Sequence, residues 1–317
     1  MRFRLTRSRD IRAPNFNDLF QASASSFTAV VNRFVPGNPS QFPAGLAGGN
    51  PGLNAEKSIT STIGTIIQPT ASWLSGVRLS ADYYDILVDG YIGAPGGAQN
   101  IVDRCASFND PLTCPLIVFG PDKSLVEIRN VNVNLQSLHS RGVDLELAYS
   151  LDANTLINTL PGEFSVRVLA THVLTQETNL FGVITDRAGE TGGSGMPDWL
   201  TNTYLTYSNG AFNATVTGRY ISDGKFNALW TGPDDPSYSA SRPLTINDNT
   251  VDSAFYANLS SSYNMEIMGD KTMQLFGSIS NLANSEPPSV PGSTYPSNPV
   301  YFDMIGRVYK VGVRFDF

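Results

Sequence analysis

Cys105 and Cys114 are the first residues whose type and spacing could do chemistry. Eight residues lie between them, in a stretch rich in Pro, Asp and Asn. In an oxidising compartment that spacing closes a small loop disulfide. A metal centre needs further ligands nearby, and the only histidines are His139 and His172. Neither a metal nor a cofactor is expected. Two histidines leave few ways to build a Ser/His/Asp arrangement, and the sequence has no His-Glu-x-x-His, no phosphate-binding glycine loop and no Gly-x-Ser-x-Gly. Gly192-Gly193-Ser194-Gly195 reads as loop material. The chain is therefore read as a non-enzyme, and the groups to look for are binding groups.

The elements that would position such groups are strands. In the last eleven residues Tyr309, Val311, Val313, Phe315 and Phe317 fall on one face, and Lys310, Gly312, Arg314 and Asp316 on the other. This is period two with an apolar and a polar side. The same alternation appears in Val77–Tyr83, Val143–Tyr149, Phe212–Tyr220, Phe255–Tyr263 and Met273–Ile279, and more weakly near residues 1–8, 55–68, 162–176 and 197–209. It predicts about ten antiparallel strands of about 9–15 residues, where soluble strands average about 5–6 and tilted membrane strands need about 9–11. No helix of consequence is expected. Short connections near 69–74, 151–161, 209–211 and 265–270 alternate with long ones near 9–54, 89–131, 177–196, 224–250 and 282–303. Asn209-Gly210 is a hairpin-turn signal. Tight turns on one rim and long loops on the other are what an up-and-down membrane barrel requires.

Composition agrees without deciding. The 317 residues carry 15% charged side chains and a net charge of −7, with a mean hydropathy of −0.11. Soluble domains average about 25% charge. Low charge fits a strand with one face in lipid and one in a polar lumen, and it also fits a soluble secreted β-protein such as a lectin-like sandwich. The acidic balance excludes a nucleic-acid partner. No apolar run is long enough for a transmembrane helix. Met1-Arg2-Phe3-Arg4 is not followed by the apolar core of a signal peptide, so an exported chain is expected to begin mid-protein.

Four segments resemble TonB-dependent outer-membrane receptors. Arg9-Asp10-Ile11-Arg12-Ala13-Pro14-Asn15-Phe16-Asn17-Asp18-Leu19-Phe20 is similar to the family's R-A-P-N-hydrophobic-x-[DE]-L-[FY] segment. Asn54-Ala55-Glu56-Lys57-Ser58 resembles the L-x-P-E-x-S strand entry, with Ala55 in place of the usual Pro. Ser140-Arg141-Gly142-Val143-Asp144-Leu145-Glu146 resembles the G-[VI]-[DE]-hydrophobic-E strand. Asn281 to Pro288, followed by Tyr301 to Phe317, resembles the N-L-F-[DN]-x-x-P-P loop and the terminal strand, with Phe302-Asp303 and Ile305-Gly306-Arg307 matching closely. The segments occur in family order across nearly the whole chain, and a paired-cysteine loop is common in one large branch of the family.

The resemblance implies an all-β, antiparallel, up-and-down transmembrane barrel. Residues 1–317 would supply about ten strands of a normally 22-stranded barrel, with the plug domain and early strands lying outside this chain. It implies TonB-dependent uptake of a scarce nutrient across the outer membrane of a Gram-negative bacterium, with a ferric siderophore as the commonest small-molecule ligand. The implied partners are the TonB complex, acting through the plug region, the barrel assembly machinery and outer-membrane lipid. Ligand would meet the outer loops. Their aromatic and polar groups include Phe34 and Phe42 in the first, and Phe108, Phe119 and Asp122 in the second. Trp230, Asp234, Asp235 and Tyr238 stand in the fourth, and Tyr295 and Tyr301 in the last. The same side chains could instead pack the loops against one another. Charged strand residues Arg78, Asp82, Asp144, Glu146, Arg167, Arg219, Lys310 and Arg314 should face the lumen, because a charge at the lipid midplane costs about 2–4 kcal/mol. Tyr309, Val311, Val313, Phe315 and Phe317 would form the terminal strand read during barrel assembly.

Overall fold

Backbone N–H and C=O groups inside a bilayer must be paired within the protein, and long antiparallel strands do this through their neighbours. The computed structural model describes residues 1–71, 74–135, 137–193, 195–236, 238–239, 245–268, 271–290 and 297–316. Ten long strands form one antiparallel sheet in chain order: β1 (Arg2–Arg12), β2 (Glu56–Ile67), β3 (Arg78–Asp89), β4 (Ser137–Asp152), β5 (Glu163–Leu180), β6 (Trp199–Ser208), β7 (Phe212–Ile221), β8 (Ala254–Met268), β9 (Lys271–Ser280) and β10 (Val308–Asp316). A short strand, Val183–Asp186, extends β5 as a hairpin. The sheet is open: among the described residues β1 pairs only with β2, and β10 only with β9. No described helix is long and apolar enough to cross a membrane, which says nothing of strands.

The connections alternate as the turn residues dictate. Residues 68–77, 153–162 and 209–211 join strands on one rim; at Asn209-Gly210 the glycine takes φ +84° and the Asn209 side chain accepts from Phe212 N–H at 3.0 Å. Residues 13–55, 90–136, 181–198, 222–253 and 281–307 cross the opposite rim.

The long loops hold the buried cores; the wall itself has few buried side chains. One departure from the sequence reading lies there. The second long loop contains an 11-residue helix, α1 (Ala98–Phe108), where no helix of consequence was expected. Its apolar residues Ala98, Ile101, Val102 and Cys105 follow the i, i+3, i+4, i+7 spacing of one helical face. The first and second long loops also share a four-stranded sheet, in the order Ala24–Phe27, Ala44–Ala47, Leu125–Arg129, Ile117–Phe119.

Candidate ligand-binding site

Strand register sorts the wall into two faces. Directly paired residues share a face, so Leu79, Leu147 and Val168 lie together, as do Leu259, Ile279 and Tyr309. Two aromatic rows bound this apolar face. Tyr83, His172, Trp199, Tyr220 and Phe255 form the row nearer the long loops; Phe164, Tyr207, Phe212 and Tyr263 form the row nearer the short turns. His172 stacks on Trp199 at 4.4 Å, and Phe164 meets Tyr207 at 5.0 Å. In each of β5, β6, β7 and β8 the two rows stand eight residues apart. That is about 26 Å along a strand, or about 20 Å across a bilayer at a tilt of about 40°. No charged residue of the described strands falls on this face between the rows. Tyr309, Val311, Val313 and Phe315 belong to the same face, Val311 being 90% exposed. Phe317 lies outside the described residues.

Arg78, Asp82, Asp144, Glu146, Arg167, Arg219, Lys310 and Arg314 all occupy the other face. On β1 to β5 several of these charges are engaged across strands. Arg4 clasps Asp82, Arg167 Nε bonds Glu146 at 2.8 Å, and Thr171 donates to Asp144 at 2.7 Å. Gly64 makes room for the Arg4–Asp82 pair, since a Cβ there would overlap the Asp82 carboxylate. At the loop end Arg12 grips Glu56 through two nitrogens, and Glu56 also accepts Ile92 N–H at 2.8 Å. This ties the first two loops to the wall.

The first and second loops close over a core of Val30, Ile101, Val102, Leu116, Ile117, Leu125 and Ile128. Cys105 on α1 and Cys114 in the following turn form a disulfide beside it. Asn32, fully buried, donates to the Lys123 carbonyl at 2.9 Å and joins loops 91 residues apart. Phe34 is half-buried, edge-on to Phe119 at 4.8 Å, which is a packing contact. Phe108 is 71% exposed beneath the Arg104 guanidinium, which also stacks on Phe181 of the third loop at 4.4 Å.

The fourth and fifth loops share a second core with the ends of β7 and β8: Ile221, Phe226, Val251, Ala254, Tyr256, Val290 and Phe302. Fully buried Glu190 pairs with Arg187 at 2.6 Å and accepts Ala228 N–H at 2.9 Å. Asn298 donates to the Thr191 carbonyl, and the Tyr301 hydroxyl donates to the Gly195 carbonyl at 2.6 Å. Burial, and then the nearby Glu190 charge, push the Tyr301 phenol up.

Trp230 and Asp234 come together in the fourth loop. They line a cavity of about 320 Å³ with Lys225, Asp235, Asn247 and Asp248. Trp230 is held edge-on to Phe226 at 5.4 Å, and its carbonyl accepts from Asn249. The Thr250 hydroxyl, then its N–H, hold the Asp248 carboxyl below the usual carboxylate range. The pocket presents an indole and three carboxylates, a set suited to stacking on a ligand and accepting its hydrogen bonds. Lys225, Asn247, Asp248, Asn249 and Thr250 are among the lining residues that the sequence reading missed; a cluster of Asn and Asp near Trp230 is the signal for residues 247–249. Tyr238 is half-buried beside this loop, its N–H bonded to the Asp235 carbonyl. Phe34 and Phe108 belong to the other loop group. Tyr295 lies outside the described residues.

Comparison with known proteins gives one family match. The model described as TonB dependent receptor-like, beta-barrel matches residues 1–282. No curated protein matches. Among solved structures, the siderophore receptor PirA from Acinetobacter baumannii aligns with a TM-score of 0.56 at 13% identity, covering 98% of this chain and 38% of that one. A variant of the ferric enterobactin receptor PfeA from Pseudomonas aeruginosa, in complex with enterobactin, aligns with a TM-score of 0.55 at 13% identity, covering 98% and 38%. A second PfeA variant gives 0.57, 13%, 98% and 37%. At such identity the likeness is one of fold, and this chain spans under two fifths of those receptors.

Proposed function

Because the chain belongs to the TonB-dependent receptor-like β-barrel family, we propose that it is the C-terminal barrel portion of a receptor that takes up a scarce nutrient, with a ferric siderophore as ligand. The family is one of receptors and transporters, and its barrels lie in the outer membrane. The observation that carries the reading is the wall: an apolar face, uncharged between two aromatic rows, backed by a charged lumen face. Such a sheet is stable only where lipid covers one side and water or protein the other.

In this reading the plug and early strands precede residue 1, and TonB acts through that preceding part. The barrel assembly machinery reads the β10 strand with Phe317. Ligand meets the loop rim first, at the Trp230–Asp234 cavity, while Phe34 orders the loops rather than touching ligand. No covalent step is involved, so the work is binding, release and passage. The solved receptors named for siderophores have the same wall architecture, which supports the choice of ligand class. The test is growth on iron-limited medium supplied with single ferric siderophores, with and without the gene. Loss of growth on one siderophore, restored by the gene, is expected; identical growth on every iron source would sink the siderophore assignment.

A further inference from the structure

We propose that Asn209, in the turn joining β6 to β7, is a self-modification site: the Gly210 nitrogen attacks its side-chain amide, which becomes a carboxylate with Tyr207 assisting. The pair is the only Asn-Gly in the chain, and both residues are exposed on the rim of short turns. β6 and β7 pair with each other and with β5 and β8, so the turn is shaped within this chain.

Three observations converge on this amide. The first is an open nucleophile. Gly210 has no side chain to screen its nitrogen, takes φ +84°, and its N–H bonds to no described residue. The second is a polarised electrophile. The Asn209 side chain folds back over the turn, where its Oδ1 accepts Phe212 N–H at 3.0 Å. That N–H draws charge from Cγ and steadies the oxygen as negative charge develops on it. The third is a proton donor beside the leaving group. Asn209 Nδ2 donates to the Tyr207 hydroxyl at 3.2 Å, and that hydroxyl donates to the Pro161 carbonyl at 2.7 Å. The Tyr207 ring is held between Phe164 at 5.0 Å and Phe212 at 6.2 Å. Turned from Pro161 to Nδ2, its O–H acts as a general acid.

The step balances without an oxidant or reductant. The Gly210 nitrogen gives its proton to water and bonds to Asn209 Cγ. The Cγ–Nδ2 bond breaks, and Nδ2 leaves as ammonia with the Tyr207 proton, which water then restores. The cyclic imide takes up a water molecule and opens on either side, giving aspartate or isoaspartate. Isoaspartate lengthens the main chain by a methylene. It thereby disrupts the Asn209 N–H to Phe212 carbonyl bond of 3.0 Å that closes the hairpin.

The inference goes beyond the uptake reading and does not depend on the ligand. It is tested on the folded protein, purified from outer membranes in detergent and held at mildly alkaline pH. Peptide mass spectrometry follows the exchange of NH2 for OH at every asparagine, and released ammonia is measured alongside. Asn209 should convert at least about 10-fold faster than any other asparagine, with both aspartate and isoaspartate among the products. Tyr207→Phe keeps the ring against Phe164 and should slow conversion at least about 10-fold. Gly210→Ala should slow it as well, since a side chain there screens the nitrogen. Folding of each variant is checked by the gel shift between unheated and heated samples. An Asn209 that converts no faster than its fellows would overturn the site, and aspartate as sole product would remove the imide route. An equal or faster rate in folded Tyr207→Phe would show that the hydroxyl shields the amide instead of assisting its loss.

Discussion

Glu190 shows how single side chains hold the loop rim together. Its carboxylate is fully buried and satisfies both Arg187 and the Ala228 N–H. Removing one partner of such a pair strands the other, at a cost of about 3–5 kcal/mol. Glu190→Ala should therefore leave the wall in place but expose residues 187–196 and 222–253 to protease many-fold faster. Limited proteolysis of the folded protein reads this directly. Asp248 sets a second residue-scale expectation. With its carboxyl held below its ordinary value by Thr250, any stabilisation it gives is complete above the unfolded value and is lost only as pH falls through the lower folded one. The Trp230 cavity thus stays anionic where a free aspartate, at about 3.9, is half protonated. In a carbon-detected NMR titration, Thr250→Val should move the Asp248 midpoint upward; an unmoved midpoint would exclude the hydroxyl as cause.

At the scale of elements, strands were legible in the sequence and loop structure was not. Every wall strand carries its own signal, because lipid on one face and a polar lumen on the other impose period two residue by residue, as Phe255 to Tyr263 shows. The small sheet in the loops carries no such signal, since it pairs Glu127 with Ala44, far away in the sequence and in a different loop. The helix α1 did leave a trace in Ile101, Val102 and Cys105, but eleven residues inside a Pro- and Gly-rich loop gave it no weight. For the candidate site, Trp230 and Asp234 were legible as types, whereas the side of the cavity formed by Asn247–Asn249, more than a dozen residues on, was not. The wall's two faces predict opposite outcomes for neighbouring residues. Leu259 sits midway between the aromatic rows of β8, and Ser260 faces the lumen. Leu259→Arg should cost about 2–4 kcal/mol of folding free energy in liposomes and Ser260→Arg close to nothing. Equal costs in denaturant titrations would refute the facing. In the second loop, Cys105→Ser opens a link that closes a short loop and contributes about 2–3 kcal/mol. Faster hydrogen exchange is expected in residues 98–119, with the wall unchanged.

For the whole molecule, the terminal strand joins sequence to assembly. Tyr309, Val311, Val313 and Phe315 continue the lipid face set by β9. Phe317→Asp in the receptor should reduce the amount reaching the outer membrane, and Asp316→Asn should not; equal membrane levels would remove the assembly role. The interlocked loop rim carries a consequence in time. Wall hairpins join residues that are near in sequence, so they can zip as they form. The Asn32–Lys123 and Asn298–Thr191 bonds span 91 and 107 residues and bridge different hairpins. Contacts of such long range must await the closure of everything between them. Maturation should therefore have two clocks, a fast one for the wall and a slow one for its cap. A molecule sampled between them would already be anchored in the membrane while its mouth stood open.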